Sequence, residues 1–497
     1  MNLPVSHQQM HSAVRGCWLG KNIGGTLGAP FEGSPDVRNI SFYAQENLDG
    51  NPEPNDDLDL QLMWLTMAEY HGIDRLTSRL FGEYWINGVV MMANEYVVCQ
   101  KNCKNGFYPP VSGAVNNDDW KWSNGAWIRS EIWACLFPGD PDKAIEYAWL
   151  DASCDHTSEG IYAEMFTAAL ESAAFAEKDL RKLIDIGLSK IPADSRMAKS
   201  VKFVCDCYDA GDDWRSARAK VVEFNSDLGF FQAPGNVAFV VIGLLYGEGD
   251  FGKSICTAVN CGDDTDCTGA TVGAIMGIMY GAENIPDEWV KPIGDRILTK
   301  SFDAYALPLP CPKTITELTR RVIRLQKLIA ENFPRETPQA LTDNTIAKRL
   351  WARSSMELPF DLGYVKVGVE YLDSPLVEPG QTVRIRLHLH SPIIYLEEFY
   401  FRWKLENGWK SNRMEVALTG ESYCSSSIDT DLIVPEDIGS GMSYVILAVN
   451  DERRKCPAFL SIPFQRKGFA NYPVFRPSNR EHTSRDRYLT ICKMIAE

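Results

Sequence analysis

The chain has 497 residues, 50 Lys and Arg against 66 Asp and Glu, a formal net charge of −16, and 45% hydrophobic against 23% charged residues. That mix belongs to a globular protein rather than a disordered one, and at roughly 100–200 residues per domain the length predicts more than one folding unit. An acidic balance excludes a surface for the nucleic-acid backbone, which needs clustered Lys and Arg.

The charge is unevenly placed. Asp361 to Glu497 holds 18 acidic and 17 basic residues, so nearly all of the net charge falls in the first 360. The opening stretch MNLPVSHQQMHSAVRG lacks the basic start and apolar core of a secretory signal. The longest run of apolar and small residues, Cys267–Ala282, is shorter than the ~20 residues a membrane span requires. Fourteen cysteines follow no disulfide-framework spacing. Reduced thiols, a cytoplasmic location and no membrane partner are the expectation.

Up to about Pro334 the pattern is helical. Asp57–Tyr70, Gly160–Ala176 and Ile315–Asn332 carry apolar residues three and four apart, separated by breaks such as Pro109–Asp119 and Pro138–Ala144. Beyond Pro359 the period shortens to two. Gln381–His390 places Val383, Ile385, Leu387 and Leu389 on one face and Arg384, Arg386, His388 and His390 on the other, the mark of a half-buried strand. Phe399–Lys404 and Tyr444–Val449 read as further strands between turn residues. The predicted architecture is an all-α domain over 1–340 and a β-sandwich over 360–497, joined through Arg335–Pro359.

Two acidic runs stand at predicted helix starts. One is Asn55-Asp56-Asp57-Leu58-Asp59, the other Asp263-Asp264-Thr265-Asp266-Cys267-Thr268. A single Asp there would cap free N–H groups and complement the helix dipole. Three within a turn repel one another unless cations sit among them, and hard carboxylate oxygens suit Mg²⁺, Mn²⁺ or Ca²⁺. Gly269, Gly273, Gly277 and Gly281 recur every four residues after the second run. They clear one helix face for a closely packed neighbour, which could hold the two acidic helix starts side by side.

These residues resemble the motifs of the ADP-ribosylglycohydrolase family. Its opening motif, Gly-x-x-x-Gly-Asp-Ala-x-Gly-x-Pro-x-Glu, is similar to Gly20 through Glu32. Its Thr-Asp-Asp-Thr falls on Asn55–Leu58 and its Gly-Asp-Thr-Asp-Thr on Asp263–Cys267. The Gly-Asn-Gly-Ala loop is similar to Ser123-Asn124-Gly125-Ala126, and the Ala-Ser-x-Thr-His segment to Ala152–His156. The matches keep their order from about Gly16 to Pro286 and do not reach the β region.

The resemblance implies an all-α hydrolase with a Mg²⁺ or Mn²⁺ site, binuclear in the family, that cleaves an N- or O-glycosidic bond. It implies Asp56, Asp57, Asp264 and Asp266 as metal ligands, with Asn55, Cys267 and Thr268 as further donors. Asp264 is also expected to be needed for catalysis. Glu32 is implied as the carboxylate that orients or deprotonates water, or handles the leaving group. Asn124, Gly125, Ala126, Arg129 and His156 are the expected substrate contacts, with an ordinary salt bridge the alternative for Arg129 and a polar core position the alternative for His156. Gly25, Asn55, Leu58 and Cys267 depart from the family residues Asp, Thr, Thr and Thr; Asp59, Asp263 and Thr268 are neighbouring donors that could stand in.

The expected substrate is a small-molecule or protein-linked glycoside, ADP-ribosyl-like or another riboside. The alternatives are a nucleoside or small-glycoside hydrolase on the same fold and a non-catalytic ligand-binding or assembly protein. The β-sandwich is expected to serve substrate access, carbohydrate contact or homo-oligomerisation. Four tryptophans, Trp120, Trp122, Trp127 and Trp133, read as core ahead of a ligand wall. Cys99/Cys103 and Cys205/Cys207 lack a zinc spacing, and His388 with His390 reads as a solvated strand face.

Overall fold

The computed structural model describes residues 6–91, 93–332, 340–390, 397–420, 425–439 and 441–469. Among the described residues, seventeen α-helices precede ten strands. The helices that position the acidic runs are α1 (His7–Gly28), α2 (Asp56–His71) and α3 (Thr265–Tyr280), and α4 (Ile315–Asn332) packs behind them on α1. A capping box starts α1, with the Ser6 hydroxyl accepting the Gln9 amide and the Gln9 side chain accepting the Ser6 amide. At the start of α2 it is Asn55 Oδ1, not an aspartate, that accepts the Asp57 amide at 2.8 Å. Asp264 stands at the N-cap of α3 but makes no capping bond. Capping therefore does not explain the aspartates.

The closest packing in the molecule is between α1 and α3, which run antiparallel. A Cβ on Gly16, Gly20 or Gly24 would lie 2.1, 1.9 or 1.9 Å from the carbonyl oxygen of Gly277, Gly273 or Gly269. The glycine-cleared face of α3 thus meets a matching face of α1, not the start of α2. Gly281 continues the contact one turn on, where a Cβ would lie 2.5 Å from Ser12 Oγ of α1, and ends α3 at φ 77°. Because the helices are antiparallel, the C-terminal end of α1 arrives at the acidic start of α3.

The β region forms two five-stranded sheets. Its strands are β1 (Glu357–Asp361), β2 (Lys366–Tyr371), β3 (Leu376–Val377), β4 (Thr382–His390), β5 (Glu397–Lys404), β6 (Lys410–Ser411), β7 (Glu415–Gly420), β8 (Ser425–Ile433), β9 (Met442–Asp451) and β10 (Ala458–Arg466). The sheet orders are β1-β2-β4-β8-β6 and β3-β10-β9-β5-β7, with only β3 and β10 parallel. Val383, Ile385, Leu387 and Leu389 of β4 are buried, while Arg384, Arg386 and His388 pair with Asp373, Asp429 and Glu370 on the outer face. The segment expected only as a connection also holds a helix, Thr345–Trp351, and β1 begins before Pro359; residues 335–339 of it lie outside the described residues.

The sandwich core is not closed by the sandwich alone. Phe107, Val111 and Val115, from the Pro-rich break in the helical part, are buried in that core, and Asn116 Nδ2 donates to Gln465 Oε1 at 3.0 Å. Phe107→Leu is expected to destabilise the protein by about 1 kcal/mol through lost packing. A chemical-denaturation series checks this, and an unchanged midpoint would show that Phe107 does not couple the two parts. Among the described residues no helix is long and apolar enough to cross a membrane, and the cysteines form no disulfide.

Candidate active site

The end of α1, the start of α2 and the start of α3 converge on one carboxylate cluster. Glu32 follows the short turn Ala29–Phe31, and its loop is tied to α3 by Gly33 N donating to Asp263 O (3.1 Å) and Asp263 N donating to Ser34 O (2.7 Å). Ligand-capable atoms of Glu32, Asp264 and Asp266 lie within 4.8 Å of one another, as do those of Asp57, Asp266 and Cys267. Asp266 belongs to both groups. Asp57, Asp264 and Asp266 are buried, whereas Glu32 is exposed at the mouth.

Burial and like-charge repulsion together raise the carboxyls of the cluster. The Asp266 charge, then desolvation and the Asp56 charge, hold the Glu32 carboxyl well above the usual range. Burial pushes Asp57, Asp264 and Asp266 up as well. Oδ2 of Asp57 and Oδ1 of both Asp264 and Asp266 are buried and accept no hydrogen bond among the described residues. Buried carboxylate oxygens without donors are poorly accounted for by the protein alone. A hard divalent cation fits such a donor set.

Neighbours fix the orientation of these groups. Asn124 Nδ2 donates to Asp264 Oδ2 at 2.7 Å and is itself held by Trp127 Nε1 at 3.0 Å. Gly125 lets the Glu95 carboxylate come close, since a Cβ would lie 2.2 Å from Glu95 Oε1. Ala126 is buried beneath the loop. Burial pushes the Cys267 thiol up, and it donates to Asp57 Oδ1 at 3.2 Å.

The remaining expected ligands and contacts are buried among partners within the protein. Arg129 is fully buried: Nε donates to Asp151 at 2.7 Å, Nη2 to Asp155 at 2.7 Å, and Nη1 to Asp155 and to Gly125 O. With its donors taken it anchors the loop. His156, also fully buried, lies between Asp155 Oδ1 (2.8 Å) and Ser123 Oγ (3.1 Å). Thr268 donates its hydroxyl to Thr265 O at 3.3 Å, and Asn55 Oδ1 accepts the Asp57 amide in the α2 cap. Asp59 and Asp263, the possible stand-ins, are used by backbone amides. Asp59 accepts from Lys300 and Ser301, and Asp263 from Phe231. Burial pushes both carboxyls up to about 7. Trp127 and Trp133 are core residues.

Two residues escaped the sequence reading. Lys21 is buried with Nζ 2.8 Å from Glu131 and 3.8 Å from Asp57. Lys300, outside every motif, reaches Asp56 Oδ1 at 3.4 Å.

The model of the ADP-ribosylglycohydrolase family matches residues 6–327. The chain belongs to that family. Its glycohydrolase members are typically metal-dependent, and the acidic cluster found here could hold a metal. A solved structure described as an ADP-ribosylglycohydrolase-related protein complex is similar at 19% identity, covering 64% of this chain and 99% of that one, with a TM-score of 0.44. No curated protein matches the chain. The ADP-ribosylglycohydrolase match ends before the sandwich. Within the matched part, two departures from the family motifs touch. At Gly25, where the family has Asp, a Cβ would lie 2.6 Å from Nδ2 of Asn55, which stands where the family has Thr.

Proposed function

We propose that this protein is a Mg²⁺- or Mn²⁺-dependent glycohydrolase cleaving the N- or O-glycosidic bond of a ribosyl or related sugar. The observation that carries the reading is the pair of carboxylate groups sharing Asp266, with buried oxygens that no donor satisfies. Asp264 and Asp266 would hold the metal, with Asp56 and Asp57 beside them. A bound divalent ion supplies Lewis acidity, favouring deprotonation of water and drawing in sugar hydroxyls. Glu32 is the member of the Glu32–Asp264–Asp266 group that reaches solvent. It is the carboxylate placed to take a proton from water or return one to the leaving group. Asn124 keeps Asp264 turned into the cluster, and the Asn124–Gly125 loop forms the adjoining wall.

A neutral nucleoside or small glycoside is the second reading. Lys21, Lys300 and Arg129 each lie against carboxylates, whereas a diphosphate is best bound by cations that have no internal partner.

Incubation of the purified protein with Mn²⁺ or Mg²⁺ tests the reading, using ADP-ribosyl-arginine, ADP-ribosyl-serine, nucleosides and aryl glycosides. Hydrolysis of at least one, stopped by EDTA and restored by Mn²⁺, is the expected outcome. Hydrolysis indifferent to EDTA would exclude the metal mechanism. Binding of metal and ligand without turnover would favour a non-catalytic role.

A further inference from the structure

The first acidic run contains a carboxylate that neither helix capping nor the ligand groups use. Asp59 Oδ2 accepts the backbone amides of both Lys300 and Ser301 at 2.7 Å. From the other side, Val90 N donates to Ser301 O at 3.0 Å and Val89 bridges to Phe302. The 300–302 segment is thereby fixed at the rim of the cluster. Its Lys300 side chain brings Nζ to 3.4 Å from Asp56 Oδ1, while Tyr96 OH donates to Asp56 Oδ2 at 3.2 Å. Both oxygens of Asp56 thus face protein cations or donors, and Asp56 joins neither group of ligand-capable atoms. Asp57 is similarly attended, by the Cys267 thiol at 3.2 Å and Lys21 at 3.8 Å. On the opposite side, Asp264 Oδ1 and Asp266 Oδ1 are buried without a donor.

We propose that Lys300 is a built-in cation that takes the place of one of two metal ions, so that the site binds a single divalent ion on Asp264 and Asp266, with Glu32 beside it as the acid–base carboxylate. This rests on the metal-dependent reading above. The physical reason is charge. An ammonium within contact distance of Asp56 lowers the repulsion that a cation would otherwise relieve, and it repels a divalent ion approaching the same carboxylate. The clamp by Asp59 keeps that ammonium near Asp56 even though the side chain is 43% exposed.

Counting bound Mn²⁺ decides the matter without recourse to activity. Wild-type protein, Lys300→Met, Lys300→Arg and the double variant Lys300→Met/Asp56→Asn are titrated with Mn²⁺. Calorimetry gives the stoichiometry, and electron paramagnetic resonance reports whether two ions lie close enough to couple. One ion is expected in the wild type and in Lys300→Arg, two coupled ions in Lys300→Met, and one again in the double variant. Lys300 is partly exposed, so the variants are expected to fold, and circular dichroism verifies it. Two ions in the wild type, or one in a folded Lys300→Met, overturns the proposal and leaves metal dependence standing. No binding by any of the four proteins overturns both.

Discussion

Asp266→Asn is expected to lower glycosidic hydrolysis by ~10³-fold or more, the scale of losing an element that acts on charge in the transition state. Asp266 is the only residue common to the two groups of ligand-capable atoms. Among the described residues its Oδ1 has no donor, and its Oδ2 accepts the Asn55 amide at 3.4 Å. An amide of the same size keeps the packing but gives up the charge and offers a weaker oxygen. The effect on stability has the opposite sign. Asp266 is the main cause of the raised Glu32 carboxyl and also repels Asp264, so its neutralisation is expected to raise the melting temperature of the metal-free protein. Mn²⁺ in hundredfold excess over Kd stabilises a native-state binder by about 2.7 kcal/mol. Wild-type protein is expected to show that gain and Asp266→Asn to lose it. Melting curves with and without Mn²⁺, beside initial rates, check both halves. A variant that keeps its rate and its Mn²⁺-induced shift would remove Asp266 from the site.

The helical body was readable because its signal is periodic and local. Ile315, Leu318, Val322, Leu325 and Ile329 form the buried stripe of α4, and three- and four-residue spacing marks such a stripe without knowledge of its partner. Strand β4 was readable for the same reason at period two. The site separated along another line. Asp57, Asp264, Asp266 and Glu32 stand in dense, ordered motifs and do come together. Arg129 and His156 adjoin the same motifs, yet the fold turns them inward onto Asp155, and adjacency along a chain carries no record of burial. Lys300 had no local signal at all: its clamp joins residues 241 positions apart. The one hint was Asp59, an aspartate that neither the helix cap nor the family pattern required.

Gly20→Val is expected to prevent α1 and α3 from seating, with a loss well above the ~1–3 kcal/mol of ordinary core overpacking. Ordinary overpacking is relieved by side chains that shift. Here the Cβ position lies 1.9 Å from the Gly273 carbonyl oxygen and 2.4 Å from its carbon, and a helical carbonyl cannot move without breaking its own hydrogen bond. The helices must separate along their length, because Gly16 and Gly24 make the same kind of contact one turn away on either side. Separation would also draw the Glu32 loop off the start of α3, since that loop follows α1 directly. Metal affinity should therefore fall together with stability, although Gly20 contacts none of the proposed ligands. Gly235→Ala is the control, a helical glycine with nothing within 4 Å of the added Cβ, where removing backbone freedom is neutral to stabilising by up to about 1 kcal/mol. Denaturation midpoints for the two variants should move in opposite directions or differ by several kcal/mol. A Gly20→Val protein as stable as the wild type would mean that the glycine stripes do not set the spacing on which the carboxylate cluster depends.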